Sequence, residues 1–133
     1  MTEADYADYI ACFNANDFDG FGRYYCDDVI FNLGEKRQII GRDNILDFYR
    51  DVKSRVRETL DILGVATGPG TLACHVRTEF FGLADWPDFV AGPLMKGETL
   101  NIESLGFYYL RDGKFAQILG ARYKTLPTLS ASA

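Results

Sequence analysis

The stretch spanning residues 9–32 constrains the fold of this chain more than any other. Tyr6, Tyr9, Ile10 and Phe13 recur at helical spacing, and residues 14–17 break that stripe. Asp17 then stands as an N-cap for a second, short helix carrying Phe18, Phe21, Tyr24 and Tyr25. Residues 29–33 read as a strand closed by Gly34. Helix, helix and strand joined by turns this short leave few ways to pack. Upstream, Thr2 followed three residues later by Asp5 has the pattern of a capping box opening the first helix.

Gly41 and Asp43 begin a third helix with the stripe Ile45, Phe48 or Tyr49, Val52 and Val56. On its wet side Asp47 and Asp51 are spaced to meet Arg50 and Arg55. Beyond it the period changes. Residues 59–66 form one strand, and the Gly-Pro-Gly run at 68–70 turns the chain. Residues 71–83 then alternate, with Leu72, Cys74, Val76, Thr78 and Phe80 on one face and His75, Arg77 and Glu79 on the other. Residues 86–97, with two prolines and two glycines, form an irregular excursion that serves either as a lid or as a dimer contact. Residues 98–110 and 114–125 are two long strands joined through Asp112-Gly113, a strong short hairpin signal.

Helices first and antiparallel strands afterwards is the α+β pattern. The expected architecture is a cone-shaped barrel, a strongly curved and mainly antiparallel sheet wrapped around three N-terminal helices. One domain is expected over residues 1–125, with a flexible C-terminal tail over 126–133. A length of 133 residues suits one domain with a real core. Aromatics make up 14%, which means a dense core or an aromatic-lined cavity, and core is the safer reading.

A formal net charge of -5 argues against nucleic acid as a partner, since phosphate binding needs a basic face. Cys12, Cys26 and Cys74 form no zinc spacing and no C-x-x-C pair, which points to buried free thiols in a reducing cytoplasm. The acidic, polar residues 2–8 do not resemble a signal peptide, and no apolar run approaches membrane-spanning length. The expected location is cytoplasmic, with no membrane partner. With a single histidine and no carboxylate or thiol cluster, no metal site and no cofactor are expected. Serine-elbow, P-loop and dinucleotide fingerprints are not seen.

If Asp112-Gly113 is a two-residue loop, Arg111 faces Lys114. Counting outward pairs Tyr109 with Ala116, Phe107 with Ile118, Leu105 with Gly120 and Glu103 with Arg122. These pairs share one face. Glu103 and Arg122 read either as a half-exposed salt bridge worth roughly 0–1 kcal/mol, or as a base oriented by a guanidinium. His75 is expected to point outward, toward solvent or a dimer partner.

The order of elements resembles the nuclear transport factor 2-like (cystatin-like) superfamily, in its SnoaL-like and ketosteroid isomerase-like branch. The motif Asn14-Ala15-Asn16-Asp17-Phe18-Asp19-Gly20, the helix opening at Gly41-Arg42-Asp43 and the Asp112-Gly113-Lys114 hairpin carry the resemblance, which runs to about Lys124. It implies that the face of the last hairpin lines a ligand cavity. Tyr9 falls where ketosteroid isomerase places its oxyanion-hole tyrosine, making it a hydrogen-bond donor to a developing enolate. A core tyrosine satisfied by Tyr24, Asn32 or the backbone is the alternative. The chain departs from the family at three acid positions, which fall at Leu33, at or near Leu105, and at Gly120.

The resulting expectation is a homodimeric binder of a small hydrophobic, polyketide- or steroid-like molecule. It would act as a cofactor-independent isomerase, cyclase, dehydratase or hydrolase. Tyr9 and Glu103 would be catalytic, and Phe13, Tyr24, Asn32, Leu33, Leu105, Phe107, Ile118, Gly120 and Arg122 would contact the ligand. The alternatives are a non-catalytic ligand-binding module and a dimeric interaction scaffold.

Overall fold

The computed structural model describes residues 1–131. Three helices, α1 (Glu3–Asn14), α2 (Phe18–Gly22) and α3 (Arg42–Arg55), accompany six strands. These are β1 (Tyr25–Leu33), β2 (Arg37–Ile40), β3 (Val56–Gly68), β4 (Thr71–Gly82), β5 (Thr99–Arg111) and β6 (Lys114–Thr125). The helix starts follow from their caps. Thr2 Oγ1 accepts from the Asp5 amide at 3.1 Å while Asp5 Oδ2 accepts from the Thr2 amide at 2.8 Å. Asp17 Oδ1 takes the Gly20 amide at 2.9 Å and opens α2. The stripe Tyr6, Tyr9, Ile10 and Phe13 of α1 is buried throughout, as its spacing requires.

The strands form one sheet in the order β2-β1-β6-β5-β4-β3, antiparallel except where β1 runs parallel to β6. The expected closure into a barrel does not occur. β2 and β3 remain as edges, and α1 and α3 pack across the sheet between them. β2 itself was not foreseen. It is four residues long, with Ile40 exposed, and lacks the alternation that marks a half-buried strand.

α3 passes into β3 without a loop. Val56 caps the helix in an extended conformation (φ -139°, ψ 136°) and is the first strand residue. At the other end of the sheet, Asp112 and Gly113 are both left-handed, as a two-residue hairpin turn requires. Arg111 faces Lys114 as the turn dictates.

The register then slips. Leu110 pairs with Phe115, but Tyr109 pairs with Gln117, so Ala116 is an extra residue on β6. One inserted residue exchanges the faces of β5 relative to the simple count. The inward cross-strand pairs are therefore Tyr108–Ile118, Gly106–Gly120 and Ser104–Arg122. Leu105, Phe107 and Tyr109 turn to the outer face and are 38–49% exposed. A second irregularity at Tyr123 sets Glu103 opposite Lys124 rather than Arg122.

Two apolar clusters fill the interior. The larger lies between the helices and the sheet. The smaller joins Val52, Val56, Phe80, Leu100 and Ile102 to Phe89 and Leu94 of the excursion, residues 83–98. The excursion is therefore anchored by burial of its own side chains. Trp86 and Leu94 also exchange backbone hydrogen bonds at 2.8 and 3.1 Å, and the Arg55 guanidinium stacks 3.5 Å from the Trp86 ring centroid. At Gly82 a β-carbon would lie 2.3 Å from the Met95 carbonyl oxygen, so the excursion returns across a position that has no room for a side chain.

Of the tail expected over 126–133, residues 132 and 133 lie outside the described residues. Leu126 donates to the Asn101 carbonyl, and Leu129 exchanges hydrogen bonds with Thr99. No helix among the described residues is long and apolar enough to cross a membrane.

Candidate active site

A cavity of about 360 Å³ opens on the helix-covered side of the sheet. Its floor is buried: Tyr9 and Phe13 from α1, Tyr49 from α3, Cys74 from β4, Tyr108 from β5 and Ile118 from β6. Its exposed wall residues gather at one end, where Gly34, Val90, Ala121 and Arg122 mark the mouth. Phe89, Val90 and Ala91 all line it, so the excursion is part of the cavity wall. Gly106 and Gly120 face each other across β5 and β6 on the inward side, and both line the cavity.

One carboxylate enters this apolar space. Glu58 lies on β3, where residues 56, 58, 60 and 62 share the inward face. It is half-buried and makes no hydrogen bond or ion pair among the described residues. Loss of water around it disfavours the charged form and raises its pKa to about 7, with Lys53 pulling the other way. Lys53, on the last turn of α3, donates to the Phe13 carbonyl at 2.9 Å and to Asn16 Oδ1 at 2.8 Å. Its Nζ lies 3.8 Å from the Phe13 ring centroid. Burial lowers its pKa to about 8, opposed by Glu58. A general base for neutral pH needs a pKa well above the ordinary carboxylate range, and burial moves Glu58 in that direction.

Around the floor runs a set of neutral hydroxyls. Tyr9 and Tyr25 are hydrogen-bonded at 2.6 Å through their hydroxyls. Tyr6 donates to Cys74 Sγ at 3.2 Å and pairs with the Tyr108 hydroxyl at 3.0 Å. Burial pushes the pKa values of Tyr9, Tyr25, Tyr49 and Tyr108 well up, so all four remain protonated donors at neutral pH. Burial also raises the Cys74 thiol, which keeps it from acting as a nucleophile. Among the described residues, no three His, Cys, Asp or Glu side chains come together in a group that could hold a metal ion.

Of the residues singled out in the sequence, Tyr9, Phe13, Leu33, Ile118, Gly120 and Arg122 line the cavity. Glu103, Phe107, Tyr24 and Asn32 do not line it. Glu103 lies on the outer face, where its Oε1 is 2.7 Å from His75 Nε2 and its side chain is 17% exposed. The bulge at Ala116 is the cause, since it turns residues 103, 105 and 107 away together. Glu103 therefore cannot act on a molecule in this cavity. Phe107 points outward for the same reason, and Leu105 borders the cavity while its side chain is 49% exposed on the other side. Tyr24 is engaged with Asp8 and Arg23 at the surface, and Asn32 accepts from Gln38 across the edge pair β1–β2.

Sequence reasoning missed Glu58. The expected strand began at residue 59, which left Glu58 in a charged run after α3 that reads as a solvated helix end. The available signal was parity. Extending the alternation back from Ile62 through Leu60 places Glu58 on the apolar face.

A model of the SnoaL-like domain matches residues 6–118. Among solved structures, a candidate polyketide cyclase of Pseudomonas putida KT2440 is 25% identical, with a TM-score of 0.76 over 88% of this chain and 87% of that one. A candidate ketosteroid isomerase of Kribbella flavida DSM 17836 is 15% identical, with a TM-score of 0.70 over 93% and 78%. An M. tuberculosis epoxide hydrolase described as LEH-like is 12% identical, with a TM-score of 0.72 over 90% and 80%. The last two likenesses concern the fold alone. A search of curated proteins finds no match.

Proposed function

The chain belongs to the SnoaL-like family, and on that premise we propose that it is a cofactor-independent enzyme acting on a small hydrophobic molecule in this cavity. The reaction begins with proton transfer at a carbon next to a carbonyl. Glu58, as carboxylate, takes the proton, and the electron pair moves onto the carbonyl oxygen as an enolate. The Tyr9 and Tyr25 hydroxyls share one hydrogen bond, and with Tyr25 as its donor the Tyr9 proton is free for the enolate oxygen. Return of the proton from Glu58 to a different carbon completes an isomerisation. Attack of the enolate carbon on a second carbonyl of the same molecule forms the ring bond, and the resulting alkoxide takes the proton back from Glu58 to complete a cyclisation.

The observation that carries this reading is the single unpaired carboxylate in an apolar cavity with a pKa near 7. Deuterium uptake at the carbon next to the carbonyl of 2-tetralone, followed by NMR in D2O, tests it without knowledge of the substrate. The wild type accelerates the exchange and Glu58→Gln does not. Equal acceleration by both overturns the assignment of Glu58.

A second reading is favoured by the three family acid positions occupied by Leu33, Gly120 and a residue at or near Leu105. On that reading the domain binds a hydrophobic ligand and catalyses nothing. Binding of 2-tetralone without exchange selects it.

The outer sheet face supports a homodimer. Leu105, Phe107, Tyr109, Leu119 and Tyr123 are 38–65% exposed there, an apolar patch of the kind that marks an interface. Light scattering distinguishes a dimer from a monomer, and Phe107→Asp is expected to give monomers. Three free cysteines fit a reducing compartment such as the cytoplasm.

A further inference from the structure

Apart from Glu58, the cavity wall carries one charged side chain, Arg122. It stands at the mouth on β6, next to Gly120 and Ala121. Its Nη2 donates to the Ala91 carbonyl at 2.8 Å and its Nη1 to Thr125 Oγ1 at 3.3 Å. Both acceptors are neutral. Arg122 forms no ion pair among the described residues, although the chain has 19 acidic residues. Two anchoring bonds fix the guanidinium in place and leave further N–H donors free, since the group carries five.

Glu58 does not neutralise it. β6 and β3 are separated by β5 and β4, three strand spacings or roughly 14 Å along the sheet. One cavity therefore holds a fixed cation at its mouth and an acid on the far strand, with an apolar floor of aromatic rings between them. We infer that Arg122 anchors an anionic group of the ligand, and that the cavity takes a carboxylate on a compact aromatic or polycyclic body. The anion stays at the wet end beside Arg122, and the apolar body reaches inward toward Glu58. A cavity of about 360 Å³ with an open mouth has room for a two-ring body.

This inference rests on the proposal that the cavity binds small molecules, and its test separates the two. The probes are naphthalene-2-carboxylate and its neutral counterpart 2-acetylnaphthalene, with binding measured by calorimetry at pH 6 and low salt. The wild type is expected to bind the carboxylate at least about tenfold more tightly than the ketone, the gain typical of a charge-assisted contact. Arg122→Gln should remove that preference by weakening carboxylate binding far more than ketone binding, and Arg122→Lys should restore part of it. The ketone also reports on the wall, because Arg122 holds Ala91. If the wild type shows no preference, or if Arg122→Gln weakens both probes equally, the anchor is overturned and the cavity reading stands. If neither probe binds the wild type, both proposals fall.

Discussion

Glu58 and Glu103 are both half-buried strand glutamates, yet the two faces of the sheet treat them oppositely. On the outer face, Glu103 has an imidazole at 2.7 Å and Arg77 beside it in the register of β4 and β5. Its charge is answered where it stands. On the inner face, Glu58 has aromatic and aliphatic neighbours, no bonded partner, and an amine that affects it only through space. The difference lies in what surrounds each group rather than in residue type. An answered carboxylate is structural, while an unanswered one in a cavity is held near the pH at which it exchanges protons.

The largest expected contrast is in turnover. Glu58→Gln should slow deuterium exchange by roughly 100- to 10,000-fold, the range for loss of a general base. In the wild type the rate should rise as pH passes about 7 and then level, because the base must be ionised to act. A rate that falls over that range would assign Glu58 as an acid instead.

Stability gives the next contrast. Glu58 is raised from 4.5 to about 7 in the folded state, so the folded chain holds its proton where the unfolded chain has lost it. The associated stability is fully present below pH 4.5 and is lost as pH rises through about 7. Glu58→Gln lacks this loss. In urea titrations it should match the wild type at pH 4 and exceed it by about 2 kcal/mol at pH 8, less than the full shift corresponds to because the side chain is only half-buried and partly screened by solvent. Equal stabilities at pH 8 would mean that Glu58 is solvated like a surface acid.

Tyr9→Phe should cost about 1–2 kcal/mol, because the Tyr25 hydroxyl at 0% exposure then loses its partner. It should also raise the energy of the enolate and slow exchange without abolishing it. Smallest of all, Glu103→Gln should change exchange rates less than about twofold and stability by less than about 1 kcal/mol. A turnover loss comparable to that of Glu58→Gln would erase the distinction between the two faces.

Much of the scaffold was legible in the sequence, because local chemistry determined it. The capping box at Thr2, the cap at Asp17, the buried stripe of α1 and the turn at Asp112-Gly113 each depend on residues a few positions apart. The failures were non-local or uncoded. Nothing in Lys114-Phe115-Ala116-Gln117 announces a bulge, yet that one residue moves Glu103, Leu105 and Phe107 to the wrong side of any simple count. β2 escaped notice because an edge strand of four residues needs no apolar face. The site was half legible for the same reasons. Tyr9 and Phe13 belong to a strong helical stripe, whereas Glu58 follows a helix that becomes a strand without any loop residue to mark the change.

The facing glycines of β5 and β6 carry a consequence for how this scaffold can diversify. A β-carbon at Gly106 would meet Cys74 Sγ at 3.0 Å, while at Gly120 it would find its nearest neighbour, the Asn32 carbonyl, at an ordinary 3.5 Å. Position 120 can therefore accept a side chain with the backbone undisturbed, and position 106 cannot without shifting the thiol. Of the two facing glycines, only Gly120 offers a place to reshape the cavity by a single substitution that leaves the turn, the bulge and the strand order intact. Descendants of this chain that differ at residue 120 would share its architecture and diverge in what they admit.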